Sequence, residues 1–113
     1  MELSTDEFET LVADALDSLP PDLGRAMENV AVYVDDTSPP GRLLGLYEGI
    51  PLTSRGTSYA AAMPDRITIF KATILRQAHT HADVVATVRK TVIHEIAHHF
   101  GISDPRLDEL GWS

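Results

Sequence analysis

The sequence predicts an α+β fold in which a small mixed sheet of three or four strands packs against an N-terminal helix and a long helix near the C-terminus. Three observations carry this expectation. Apolar residues recur at helical spacing in one early and one late stretch, and short β-rich segments bounded by turn residues fill the middle. The 113 residues, 43% of them apolar, suit one core, so a single domain over 1–113 is expected.

Ser4 to Leu19 opens with Ser4 followed three residues later by Glu7, a capping-box pattern, and carries Phe8, Leu11, Val12, Ala15, Leu16 and Leu19 on one stripe. Pro20-Pro21 is expected to end this helix. Val30 to Val34 reads as a strand, and Asp35 to Gly41 as a turn-rich loop. Leu43 to Ile50 reads as a second strand in which Gly45 and Gly49 mark a bulge or the close approach of another backbone. Thr53 to Ser58 reads as an exposed loop. Tyr59 to Met63 and Arg66 to Lys71 read as strands joined by Pro64-Asp65, with Ile67 and Ile69 on one face and Thr68 and Phe70 on the other. The long helix is expected from about Ala82 to Phe100, with Val85, Val88, Val92 and Ile96 on its buried stripe and Gly101 as its stop.

Charge narrows the partners. Nine Lys and Arg face seventeen Asp and Glu, a net charge of -8 that repels phosphate backbones and anionic membranes. Neither nucleic acid nor a membrane is therefore expected as a partner, and oligomeric state is not encoded in any pattern here. The acidic opening Met1-Glu2-Leu3-Ser4-Thr5-Asp6-Glu7 lacks the basic start of a secretory leader, and with no cysteines the expected compartment is the cytoplasm. Without cysteine, any transition metal must take nitrogen and oxygen ligands.

The long helix ends in HEIAHHFGISD, which fits HExxHxxGxxD at His94, Glu95, His98, Gly101 and Asp104. Residues four apart lie one turn apart on one face, so His94 and His98 can present ring nitrogens to one ion. Glu95 falls beside them, placed to act on water as a base without ligating the ion. Gly101 permits a left-handed backbone that turns the chain back, so that Asp104 can supply a third ligand. Two His, one carboxylate and an open position describe a catalytic rather than a structural zinc site. HExxH alone arises by chance in about one chain of this length per hundred, whereas the full pattern arises in roughly a few per 10⁵.

The longer motif resembles that of zincin-like metallopeptidases with aspartate as third ligand, and the chain is similar to a small bacterial zincin-like family. LLGLYEGIPLT from Leu43, PDRITIF from Pro64 and RKTVIHEIAHHFGISDPRLDELGW from Arg89 carry that likeness over roughly the C-terminal two thirds. The resemblance implies a minimal zincin-like domain whose long helix bears the active site. It implies Zn²⁺ held by His94, His98 and Asp104, with Glu95 as catalytic base, and a peptide or protein substrate. The rival is a non-catalytic metal-binding or protein-interaction module that keeps the same site.

Other residues carry two readings each. Asp104 precedes Pro105 and suits an N-cap for a short last helix through Leu110 as well as a ligand, and Asp108 and Glu109 are rival third ligands. His99 lies on the Val88, Val92 and Ile96 side, a position for a core histidine or for one that supports the ligands. His79 and His81, two apart at the helix start, are not expected to share a metal. Thr87 and Thr91 either orient the ligand face or simply pack. Tyr47 and Tyr59 are oxyanion donors or sheet residues. Lys71, Lys90 and the seven arginines read as solvated. Larger metzincins carry a Met-turn after the third ligand, but Met1, Met27 and Met63 all precede Asp104, so Trp112 is expected to pack beneath the ligands instead.

Overall fold

A computed structural model of the chain describes residues 1–37, 40–49 and 65–111. Helix α1 spans Thr5–Asp17 and starts at the expected capping box: Ser4 Oγ accepts the Glu7 N–H at 3.1 Å, and Glu7 Oε1 accepts the Ser4 N–H at 3.2 Å. Phe8, Val12 and Ala15, spaced four and three apart, are buried. The prolines that follow do more than stop it. Pro21 occupies the first position of a second helix, α2 (Pro21–Ala26), where a missing N–H costs nothing, and Leu23 anchors that helix in the core.

Three strands follow, β1 (Val30–Asp35), β2 (Gly45–Glu48) and β3 (Asp65–Phe70), in the order β1-β3-β2. The central strand runs parallel to β1, with Val30 opposite Asp65, and antiparallel to β2, with Gly45 opposite Ile69. The sheet is thus mixed, and its middle strand supplies the fully buried Ile67 and Ile69. The expected strand Tyr59 to Met63 and the loop Thr53 to Ser58 lie outside the described residues.

The strand expected over Arg66 to Lys71 stops one residue early, because Lys71 opens a helix, α3 (Lys71–Gln77), which buries Thr73, Ile74 and Leu75. Lys71 is also not solvated. Its side chain is only 15% exposed, with the ammonium 3.8 Å from Asp36 Oδ1 and donating to Thr5 Oγ1 at 3.4 Å, so it ties the end of β1 to the start of α1.

Helix α4 (His81–His99) begins at a second capping box formed by Thr80 and Asp83. Its buried stripe is Val84, Val88, Val92 and Ile96 with Ile93 and Ala97; Val85, expected on that stripe, is only half-buried. The helix packs on α1 with one side and on β2 and β3 with another. It ends as expected at Gly101, φ +72°, where the Ile102 N–H reaches back to the Ala97 carbonyl at 2.7 Å and the Gly101 N–H to the His98 carbonyl at 3.2 Å. Ile102 packs against the core, and α5 (Asp104–Leu110) then buries Leu107. Among the described residues no helix is long and apolar enough to cross a membrane.

Candidate metal centre

The last two turns of α4 run past the edge of the sheet, so their side chains look onto an open cleft of about 490 Å³ between α4 and the segment leading into β2. His94, Glu95 and His98 line it, with Thr87 and Thr91 one and two turns earlier. A larger cleft of about 570 Å³ lies elsewhere, beside the N-terminus, Lys71 and His79, and contains none of the motif residues.

The one-turn spacing does what the sequence requires of it: the His94 and His98 rings stand 6.2 Å apart, centre to centre, tilted by 44°. Two imidazoles sharing one zinc at about 2.05 Å and near-tetrahedral angles would have centres about 5 Å apart, so side-chain rotation of about 1 Å closes the pair on one ion. The His98 side chain is 65% exposed, and among the described residues the half-buried His94 ring has no hydrogen-bond partner. Two nitrogen donors whose lone pairs are free fit a divalent ion in kind.

Glu95 sits between them and is only 21% exposed. Its Oε1 accepts the backbone N–H of Tyr47 at 3.3 Å, while Oε2 stands 3.9 Å from His98 Nδ1. The Tyr47 N–H is available for this because the Phe70 N–H bonds to the Leu44 carbonyl, and alternation along an antiparallel ladder then turns the Tyr47 amide to the free edge. The edge of β2 therefore fixes the carboxylate.

Asp104 is left outside this group. Among the described residues no three His, Asp or Glu side chains gather closely enough to hold an ion. Asp104 is exposed at the first position of α5, and the N-cap that it suited in the sequence is Ser103, whose Oγ accepts the Arg106 N–H at 3.3 Å. Of the rival acids, Glu109 accepts from Arg106 at 2.9 Å and Asp108 is exposed. His79 and His81 are exposed, the first before the cap of α4 and the second at its start, far from the pair, and Trp112 and Tyr59 lie outside the described residues.

His99 is not the core histidine that its wheel position suggested. It is exposed rather than buried in the core, and its ring stacks on Tyr47 at 4.0 Å and 20° and meets Phe100 edge-on at 5.0 Å. The Tyr47 hydroxyl donates to Asp65 Oδ2 at 2.8 Å, so it points to the start of β3 rather than to the ligand face. Burial, then the hydrogen bond to Asp65 and its negative charge, push the Tyr47 phenol up to about 12. An oxyanion donor must be free to turn to the substrate, and this one is engaged. Instead Tyr47, Asp65 and His99 clamp β2 beside Glu95. Eighteen residues separate Tyr47 from Asp65, and no sequence pattern signals that contact.

Thr91 and Gly45 set the spacing between α4 and β2. Thr91 Oγ1 donates to the Thr87 carbonyl at 2.7 Å, which turns its methyl to the strand, and a Cβ on Gly45 would lie 2.6 Å from that methyl carbon. Close approach, not a bulge, is the reason for Gly45.

No curated protein sequence matches the chain. The family model for zincin-like metallopeptidases matches residues 27–112, starting after α1 and α2 and taking in the whole sheet, the motif helix and α5. With that match over most of its length, the chain belongs to the zincin-like metallopeptidase family.

Proposed function

We propose that the chain is a zinc-dependent peptidase in which His94, His98 and Asp104 hold one ion and Glu95 is the general base. The observation that carries this reading is the pair of imidazoles one turn apart, free of competing hydrogen bonds among the described residues and flanking a carboxylate in an open cleft. When bound, the ion would polarise the peptide carbonyl and acidify water.

The chain's own residues do the rest. The Tyr47 amide holds Glu95 by Oε1, leaving Oε2 on the His98 side to accept a proton from the attacking water and return it to the leaving amine. Limited exposure of Glu95 and its bond to the Tyr47 amide keep its geometry fixed. Asp104 follows the left-handed Gly101 on an exposed turn between Ile102 and Leu107, which pack on the core, and in this reading that turn rearranges when the ion binds.

One observation favours the second reading, a non-catalytic metal-binding or interaction module: Asp104 stands outside the histidine group. Incubating zinc-loaded wild type and Glu95→Gln with a peptide library decides between them. Cleavage by wild type alone, with equal metal content in both proteins, supports the peptidase. Metal in both with cleavage by neither supports the module.

A further inference from the structure

Several cationic side chains of this acidic protein are neutralised. Arg25 pairs with Asp22, Arg66 with Glu48, Lys71 with Asp36 and Arg106 with Glu109. Arg42 and Lys90 are different. Both are exposed, both line the cleft that holds His94, Glu95 and His98, and among the described residues neither forms an ion pair or side-chain hydrogen bond.

Their placement follows from the backbone. Lys90 precedes His94 by four residues on α4, about 6 Å along the helix axis. Arg42 ends the turn Pro40–Arg42 that leads into β2, with φ +60°, on the facing wall of the same cleft. Among the described residues that line the cleft the only carboxylate is Glu95, at the motif end. The cleft away from Glu95 is therefore positive in a chain of net charge -8, a local reversal of sign that attracts an anionic group and repels a cationic one.

We propose that Arg42 and Lys90 form a specificity subsite for a substrate carboxylate. An extended peptide advances about 3.3 Å per residue, so a carboxylate at the cations belongs roughly two residues from the bond at the histidines. The substrate class is then a peptide with an acidic side chain near the scissile bond, or one whose own C-terminus lies there. This assignment rests on the peptidase reading, but binding tests it without turnover.

The probe is a set of fluorescent hexapeptides, neutral except at one position, titrated by anisotropy into the full chain carrying Glu95→Gln, with and without Zn²⁺. One peptide has an internal Asp and an amidated C-terminus, the second has Asn in its place, and the third is the Asn peptide with a free C-terminus. An exposed ion pair contributes about threefold and two about tenfold, so the Asp peptide should bind about ten times more tightly than the Asn peptide at low salt. Arg42→Gln with Lys90→Gln should reduce that ratio to below about twofold, Lys90→Arg should preserve it, and Lys90→Glu should shift preference toward a Lys peptide. Tighter binding of the third peptide than of its amide, lost in the same double variant, identifies the C-terminus as the group read. Equal binding of all peptides, no binding of any, or a preference that survives the double substitution overturns the subsite. The peptidase reading stands or falls separately, on zinc content and hydrolysis by wild type.

Discussion

Replacing Gly45 with Ala probes how closely β2 must lie on the motif helix. The added methyl would stand 2.6 Å from Thr91 Cγ2, 3.1 Å from the Thr68 carbonyl oxygen and 3.5 Å from Ile69 Cδ1. The first distance lies far inside van der Waals contact, and Thr91 is a buried, β-branched residue held by its own hydrogen bond to Thr87, so it cannot rotate away cheaply. Overpacking of this kind costs about 1–3 kcal/mol, and in a domain of about 100 residues each kcal/mol lowers Tm by about 4–8 °C. Gly45→Ala should therefore melt about 5–20 °C below wild type by circular dichroism. Thr91→Ser, which removes Cγ2 and keeps the hydroxyl, should recover part of that loss in the double variant, with a coupling of about 1 kcal/mol. The remainder belongs to the Thr68 carbonyl, which is backbone and cannot yield. A Gly45→Ala variant as stable as wild type, or fully additive effects of the two substitutions, would refute the claim that the strand and helix meet at these atoms.

Further outcomes follow from the site. Tyr47→Phe should remove a pH dependence: the phenol titrates at about 12 in the fold against about 10 in the unfolded chain. Stability is full below pH 10 and falls as pH rises from about 10 to 12, because only the unfolded chain releases the proton there; denaturant melts should show that fall diminished in Tyr47→Phe. Ser103→Ala should cost about 1 kcal/mol by loss of the cap of α5. Asp104→Asn, by contrast, should change stability by only a few tenths of a kcal/mol while weakening zinc binding at least tenfold; a large loss of stability with unchanged zinc affinity would assign Asp104 to the helix alone. Glu95→Gln should retain the metal and lower kcat by about 10²–10⁴, and equal turnover would remove Glu95 from the role of base.

The parts of this fold that are legible in the sequence are those whose signals are local. Ser4 with Glu7 starts the first main helix and Gly101 stops the second, each within four residues of what it caps, whereas the Thr80 and Asp83 box that starts the second was not read from the sequence. Helix α2 was hidden because the proline that starts it also reads as the end of α1, and α3 because seven residues after an alternating strand are too few to show a helical period. The site divides in the same way. The i, i+4 relation of His94 and His98 is a property of one helix and is visible in the motif. The Tyr47 amide on Glu95, the stack of His99 on Tyr47 and the convergence of Arg42 with Lys90 join residues 48, 52 and 48 positions apart, and depend on where the sheet edge lands beside α4. The wheel position of His99 pointed inward, but at the last residue of α4 that direction meets the Tyr47 ring and solvent. The cap that Asp104 also suited falls to Ser103, one residue earlier, whose Oγ accepts the Arg106 N–H.

X-ray absorption at the zinc K-edge, on protein loaded with one equivalent of Zn²⁺, bears most directly on whether the motif helix holds an ion. Wild type should show two imidazole scatterers with Zn–N at about 2.0 Å and oxygen donors completing a tetrahedral site, one imidazole fewer in His94→Ala and in His98→Ala, and a carboxylate contribution that disappears in Asp104→Ala. Zinc that fails to bind at one equivalent, or a spectrum unaltered by loss of either histidine, would contradict the assignment of the centre to this helix.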